Sequence, residues 1–450
     1  MSQSKMASAS EASCADDLIG ALPDGVLRRI LGFLQADEAV RTSLLARRWR
    51  HLWRSMPVLR LTAGAARSVR FPRRFLDHLF LLRDRSNLES CMFDFDILSE
   101  HDLTYVNLWI RHALLCQVQE LSVFVWDSVH KRYDLPLADL PVVSQHLTRL
   151  KLTCVKLYDK FLDFSSCPAL KDLRIESCHI AATKISSRSI EYLNIEHCSC
   201  VPDTRVRISA PNLISLRLHR FEDRSRTPLL EDMPLLVTAV VELDSEFRDR
   251  CDGLDPGYCD DEFCDGCYGT DDGSAGCVLL KSLSAATDMT LTADPEVFIL
   301  KRDLRWCPTF SKLKTLLLNE WCVATDDRAL ICILQHAPVL EKLTFDLSMA
   351  LKEKKARNMV PSKAIYNSTE QSFASENLKR IEVTCREVDE WVDKILKYLV
   401  SYGIPLEKIA IKQENTISEY VSLSLVQVSA QSRAEKICPL DGFVTTSSIN

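Results

Sequence analysis

Between residues 251 and 277, five cysteines (Cys251, Cys259, Cys264, Cys267 and Cys277) sit among acids and glycines in DSEFRDRCDGLDPGYCDDEFCDGCYGTDDGSAGC, residues 244–277. A thiolate is both a nucleophile and a soft metal ligand, so three readings are open here. In the first, Cys264-x-x-Cys267 supplies the paired spacing of a tetrahedral zinc site and two of the other three cysteines complete it. Cys251, Cys259, Cys264 and Cys267 are then the candidate ligands, although the second CxxC that such sites usually carry is absent. In the second, the CxxC is a redox pair. That chemistry wants a strand running into a helix N-terminus, which Gly266 and the dense acids do not offer. In the third, the segment is a solvated acidic loop with free thiols, and this is the expected one. No cofactor is expected.

Other catalytic patterns are missing from the text of the sequence. It holds no GxSxG, HExxH or GxxxxGK[ST] and no strand-GxGxxG-helix arrangement, and its 12 glycines are few for phosphate-cradling loops. His112, His179 and His336 are isolated in the sequence and are expected to be ordinary surface or core residues. The chain is therefore expected to be a non-catalytic one.

A length of 450 residues, with 46% hydrophobic and 26% charged residues, exceeds what one compact core usually serves and calls for several domains or a repeat architecture. The 18 cysteines are scattered and no apolar leader precedes them, so reduced thiols and a cytoplasmic or nuclear location are expected. No run reaches the length that spans a bilayer, and no membrane association is expected. With a net charge of -6 and the arginines Arg47, Arg48, Arg50 and Arg54 confined to one early helix face, no nucleic-acid partner is expected either.

The elements that would position any site repeat along the chain. Leu147-Leu150-Leu152, Leu170-Leu173-Ile175, Ile190-Leu193-Ile195 and Leu213-Leu216-Leu218 follow one another at spacings of 23, 20 and 23 residues. Leu313-Leu316-Leu318, Leu340-Leu343-Phe345, Leu378-Ile381-Val383 and Leu406-Ile409-Ile411 keep the same pattern with longer connections. L-x-x-L-x-L resembles the strand segment of a leucine-rich repeat, and Cys178 and Cys198 stand where that consensus places Asn or Cys. One such strand cannot bury its own leucines; stacked copies can, as a solenoid with a curved parallel sheet and a helical or irregular convex side. Weaker segments at Cys91 to Phe95, Leu121 to Val125, Leu236 to Leu243 and Met289 to Leu291 bring the expected number near ten.

Ahead of the repeats, Pro23 and Asp24 suit a helix start, and Val26, Leu27, Ile30, Leu31 and Leu34 keep one stripe apolar. A second start at Asp37 and Glu38 leads into Val40, Leu44, Leu45, Trp49, Leu52 and Trp53 at three-to-four spacing, so two or three short helices are expected. The run Leu22-Pro23-Asp24, Ile30-Leu31-Leu34, Ala39-Val40, Ser43-Leu44-Leu45 and Arg48-Trp49-Arg50-Leu52-Trp53 resembles an F-box of the kind found in plant F-box proteins with leucine-rich repeats. The resemblance implies an α/β chain in which these helices clasp a Skp-type adaptor, which links to a cullin and a RING subunit. It implies Leu22, Pro23, Ile30, Leu31, Leu34, Val40, Leu44, Leu45, Trp49, Leu52 and Trp53 as adaptor-facing positions.

Toward the end, Val388, Trp391, Val392, Ile395, Leu396 and Leu399 predict an amphipathic helix between two strands, and Ser375 to Gln413 resembles the FBD region that closes such proteins. The expected organisation is a disordered tail at 1–16, an F-box at 17–60, repeats at 61–374 with the insert 244–277, an FBD-like cap at 375–413, and a last strand through Val421, Leu423 and Leu425 with a loose tail at 414–450.

Side chains between the strand leucines point away from the core. Arg149, Lys151, Arg174, Tyr192, Asn194, Arg217 and His219, then Lys342, Thr344, Arg380 and Lys408, are the candidate target-facing residues, with the early basic strands suited to an acidic partner. The expected function is substrate recognition in a Skp-cullin-F-box ubiquitin ligase, with an unidentified protein as target. The alternatives are a non-degradative interaction scaffold and a zinc- or thiol-dependent enzyme centred on Cys264 and Cys267.

Overall fold

The computed structural model describes residues 19, 21–62, 73–83, 86–96, 100–126, 135–201, 204–221, 225–244, 249, 251, 264, 276–295, 297–323, 328–348, 377–386, 388 and 390–413. The expected terminal tails, the strand through Val421, Leu423 and Leu425, the thiols Cys259 and Cys267, and the side chain of Trp391 lie outside the described residues. The chain folds as two compact units, Met1–Leu313 and Lys314–Asn450.

The first unit opens with helix α1 (Asp24–Leu31), capped by an extended Pro23, which presents no N–H to leave unpaired. Helix α2 (Ala36–Arg41) follows, its start closed by the Glu38 carboxylate accepting from the Gln35 N–H at 3.2 Å. The expected helical spacing from Val40 to Trp53 is realised differently. Helix α2 ends at Arg41, the backbone is extended at Ala46, and three short 3-10 turns (Thr42–Leu44, Arg47–Arg50 and Leu52–Ser55) carry the rest. These turns bring Arg48 back onto α1, where its guanidinium donates to Asp24 at 2.6 Å and to the Leu22 carbonyl. Gly32 fills a close approach at the end of α1, where a Cβ would lie 3.1 Å from the Val58 Cβ.

A ladder of parallel strands starts immediately. Strands β1 (Val58–Thr62), β2 (Ser90–Asp96), β3 (Glu120–Trp126), β4 (Arg149–Thr153), β5 (Asp172–Glu176), β6 (Tyr192–Cys200), β7 (Ser215–Phe221), β8 (Thr238–Leu243) and β9 (Asp288–Ala293) pair in that order. Leu59, Cys91, Leu121, Leu150, Leu173, Leu193, Leu216, Ala239 and Met289 are register partners from strand to strand and form one buried row. Stacking, not the alternation of any single strand, buries these side chains. Strand β1 was not among the expected repeats; its Val-Leu-Arg-Leu text runs on from the preceding helices with no L-x-x-L spacing to mark it. The first connections are long enough for helices α3 (Arg73–Leu82) and α4 (Glu100–Leu115), tied together by the Trp109 indole N–H donating to Asp77. The shorter connections after β4 carry small parallel strands instead, as at Val155–Tyr158 and His179–Ala181.

Four successive strands carry the same device at or near their ends. Cys154, Ser177, His197 and Arg220 all adopt positive φ, between 46° and 59°, and the next residues, Val155, Cys178, Cys198 and Phe221, are buried. A left-handed residue interrupts the pleat, so the side chain that follows is sent into the core; beyond His197 and Arg220 the ladder still pairs Cys198 with Phe221. At two of these steps the buried residue is a cysteine whose thiol donates to carbonyls: Cys178 to Glu176 and Leu152, Cys198 to Glu196 and Ile175. Both are buried in the core.

The second unit holds β10 (Thr315–Leu318), β11 (Lys342–Asp346), β12 (Arg380–Cys385) and β13 (Ile409–Gln413), again parallel, with Leu343, Ile381 and Ile409 in register. Helix α5 (Arg328–His336) connects β10 to β11, and α6 (Glu390–Ser401) lies between β12 and β13. Val392, Ile395 and Leu399 are the buried stripe of α6, whereas Val388 precedes the helix and is exposed. The last repeat departs from the pattern: Leu406 and Ile411 are exposed, in contrast to their buried counterparts Leu378 and Val383. Thirteen rungs among the described residues, nine and four, exceed the expected ten. Among those residues no helix is long and apolar enough to cross a membrane.

Candidate interaction surfaces

Apolar side chains cluster in solvent along the first helices. Phe33 is 78% exposed, Leu44 86% and Leu45 72%, and Ile19, Val26 and Ile30 are exposed beside them in sequence. Of the expected adaptor-facing positions, Pro23, Ile30, Leu44 and Leu45 are exposed, and Leu22, Leu34, Val40 and Trp49 are half-buried. Leu31, Leu52 and Trp53 are instead buried in the core of the chain itself. The reason is that α1 turns its Leu27 and Leu31 edge against the Leu52–Ser55 turn, where the Trp53 indole N–H donates to the Arg50 carbonyl at 3.0 Å. Phe33, which is as open to solvent as Leu44 and Leu45, was outside the expected set. It stands three residues after Ile30 and seven after Val26, a helical spacing that could have marked it.

The outward side chains of the first ladder form three rows. The middle strands contribute Arg149, Asp172, Tyr192 and Ser215 to one row, Lys151, Arg174, Asn194 and Arg217 to the next, and Thr153, Glu176, Glu196 and His219 to the third. Charges on this face neutralise one another. Arg149 pairs with Glu120 at 2.7 Å and Asp172 at 3.1 Å, Lys151 with Glu176 at 2.7 Å, and Arg174 with Asp172 at 3.1 Å. His219 meets Glu242 at 2.7 Å; burial pushes that carboxyl up, but His219 and Arg220 outweigh it and hold it below the usual range. The early strands are therefore not a basic surface. Cations were legible in the sequence, whereas register alone sets Glu120 and Asp172 beside Arg149 and Glu176 within reach of Lys151; Asp172 meets Arg174 along the same strand. Arg217 has no ion pair among the described residues and is exposed, next to an exposed Tyr192 on the neighbouring strand.

In the second unit, Lys342 and Arg380 lie on the corresponding row and converge with Lys412 on the Glu382 carboxylate at 3.1, 2.8 and 3.2 Å. Lys408 donates to the Leu378 carbonyl, which holds it against the backbone. Of the three histidines expected to be ordinary, His112 stacks on Phe80 and His179 meets the Ser199 hydroxyl, whereas His336 meets the Cys332 carbonyl and lies 3.9 Å from the Cys332 thiol.

Residues 19–61 match the F-box domain family. The chain is 26% identical over 475 residues to an F-box/FBD/LRR-repeat protein of Arabidopsis thaliana, covering 95% of this chain and 96% of the relative. Over 400 residues it is 30% identical to the MEIOTIC F-BOX protein MOF of Oryza sativa subsp. japonica, covering 82% and 80%. The chain belongs to the plant F-box/leucine-rich-repeat proteins. F-box domains generally bind Skp-type adaptors, and the exposed apolar residues of this F-box protein fall inside the matched segment.

Where the insert leaves and rejoins the repeats, this F-box/leucine-rich-repeat protein carries two buried ionic clamps that the sequence did not reveal. At its start, Asp249 accepts from Arg205 at 2.7 Å, from Arg226 at 3.3 Å and from the Thr227 N–H at 2.7 Å. After it, the buried Asp303 carboxylate accepts from the backbone N–H groups of Val278, Leu279 and Leu280, while the Cys277 thiol donates to the Trp306 carbonyl at 3.1 Å. Burial pushes the Asp303 carboxyl up, and those N–H groups offset only part of it. Within the insert, the thiols of Cys251 and Cys264 lie 3.7 Å apart.

Proposed function

We propose that this protein is the substrate-recognition subunit of a Skp-cullin-F-box ubiquitin ligase. The F-box binds a Skp-type adaptor, which brings the cullin and RING subunit, and the outer face of the repeats holds a protein target. The observation that carries this reading is the exposed set Phe33, Leu44 and Leu45 within the matched F-box segment. Burying a large apolar side chain contributes about 1.5 to 3 kcal/mol, so a partner that covers all three gains an anchor that the free chain leaves in water. The half-buried Leu22, Leu34, Val40 and Trp49 would border the same contact. Ubiquitin transfer then needs no catalytic residue here, because tethering raises the effective concentration of target lysines near the charged enzyme.

The test is co-purification of the full chain with a Skp-type adaptor and a cullin, quantified on a sizing column beside a Phe33→Ala, Leu44→Ala, Leu45→Ala variant. A stoichiometric complex lost in the folded variant is expected. Folded wild-type protein that forms no complex would overturn the reading; a complex that captures proteins without ubiquitinating them would make this a non-degradative scaffold.

A further inference from the structure

We infer that the outward face of β11, β12 and β13, where Lys342, Arg380 and Lys412 gather over Glu382, docks an acidic segment of the protein target through its Asp and Glu carboxylates. The inference rests on the reading of this chain as a substrate-recognition subunit and names the chemistry of the substrate. It moves the basic surface from the early strands, where the sequence suggested it, to the second unit.

Parallel register builds the site. Lys342 is paired with Arg380, and Lys412 with Thr384 two positions beyond Glu382 on the same side of β12. The ammonium groups of Lys342 and Lys412 lie 3.1 and 3.2 Å from one Glu382 oxygen, and the Arg380 guanidinium lies 2.8 Å from the other. The Glu382 side chain is only 7% exposed, whereas those of Lys342, Arg380 and Lys412 are 42%, 56% and 53% exposed. One carboxylate therefore fixes three cationic heads from below and leaves their outer sides open to solvent.

The charges do not cancel. Asp346, the other acid on these outward positions, is taken up locally, where it accepts from the Ser348 N–H and hydroxyl. Lys408, just ahead of β13, adds another cation, so Lys342, Arg380, Lys408 and Lys412 stand against Glu382 and Asp346. Lys314 and Lys379 share the single Glu341 carboxylate next to Lys342 and extend the excess along the strand ends. The first ladder is different: Arg149 has both Glu120 and Asp172, and Lys151 has Glu176.

Like charges held this close repel one another, and a carboxylate laid over them relieves that repulsion while gaining charge-assisted hydrogen bonds. Donors remain for it, because an ammonium carries three N–H groups and a guanidinium five. Heads already ordered by Glu382 lose less freedom on binding. A positive strip that runs on past the cluster matches successive carboxylates of a segment better than it matches one phosphate.

The experiment uses the full chain and labelled Gly-Ser-spaced peptides that carry glutamates or glutamines at the same positions, with a phosphoserine peptide of equal net charge. Binding is read by fluorescence anisotropy over a salt series. The glutamate peptide is expected to bind at least about tenfold tighter than the glutamine peptide, increasingly so at low salt. A Lys342→Gln, Lys412→Gln variant, shown to be folded by circular dichroism, is expected to lose most of that difference. Lys281→Gln, at an exposed lysine paired with Asp232 ahead of β9, is expected to keep it. Equal binding of the glutamate and glutamine peptides, wild-type affinity in the folded double variant, or clearly tighter binding of the phosphoserine peptide would each overturn the inference. Adaptor binding is measured separately: a double variant that fails with the glutamate peptide but forms the adaptor complex supports both readings, and glutamate-peptide binding by a chain that forms no adaptor complex keeps the docking site and overturns the ligase reading.

Discussion

Arg205 and Asp249 face each other at 2.7 Å with side chains only 1% and 2% exposed, an ion pair made across 44 residues and shut away from water. It joins the connection between β6 and β7 to the point where the insert departs, so its integrity bears on both. Removing one partner leaves a buried charge uncompensated, and Arg205→Ala or Asp249→Ala is expected to lower stability by roughly 3 to 5 kcal/mol. An Arg205→Met, Asp249→Leu double variant is expected to lose less than either single change, because the two most deeply buried charges leave together and only Arg226, which is partly open to solvent, and the Thr227 N–H lose a partner. Chemical denaturation followed by circular dichroism at pH 7 makes the comparison.

The same pair sets a pH dependence. Burial pushes the Asp249 carboxyl up, but the Arg205 charge and the Thr227 hydrogen bonds outweigh it and hold it below the ordinary value. A depressed carboxyl stabilises the fold above its unfolded pKa, near 3.9, and that contribution is lost as pH falls through the lower folded value. Wild-type stability is therefore expected to fall on acidification more steeply than that of the Arg205→Met, Asp249→Leu variant; parallel curves from pH 7 down into the acid range would contradict this.

Ser177 offers a test of the repeated left-handed turn. Its φ of 50° is strained for any residue with a Cβ, and worse for a β-branched one. Ser177→Val is expected to lower stability by about 1 to 2 kcal/mol, while Ser177→Gly is expected to be neutral or mildly stabilising. Equal losses for both would show that side-chain contacts, not backbone conformation, govern the position.

Buried thiols should separate from exposed ones by reactivity. Burial pushes Cys178 and Cys200 up to about 12 and Cys167 to about 11, so little thiolate forms near neutral pH. Timed alkylation at pH 8 with peptide mapping is expected to leave these three unmodified in native protein and to label them fully after denaturation.

Within the F-box, exposure predicts opposite consequences for neighbouring apolar residues. Leu44→Ala and Leu45→Ala are expected to change stability by less than about 0.5 kcal/mol, since both side chains are already in water. Leu52→Ala and Trp53→Ala are expected to cost about 2 to 5 kcal/mol through the cavity they leave. Denaturation midpoints of the four variants decide it, and they also show which changes can be used to probe adaptor binding without unfolding the domain.

By itself, the sequence determined the repeat. Leu150, Leu173, Leu193 and Leu216 are legible as one row because a strand that cannot bury its own leucines must stack on a copy of itself, and equal spacing then becomes register. It also determined the F-box, whose Leu-Pro-Asp start and paired tryptophans are local patterns. Tertiary structure alone decided which of those apolar residues remain available: Leu44 and Trp53 read alike at helical spacing, but three 3-10 turns leave one in solvent and bury the other. It likewise decided the charge of the repeat face. Arg149 is visible in the sequence as a cation, whereas its neutralisation by Glu120 and Asp172 exists only once parallel register sets three strands side by side. The Arg205 to Asp249 and Cys251 to Cys264 contacts follow the same rule, since spacing records what neighbours along the chain can do, and these partners become neighbours only through the fold.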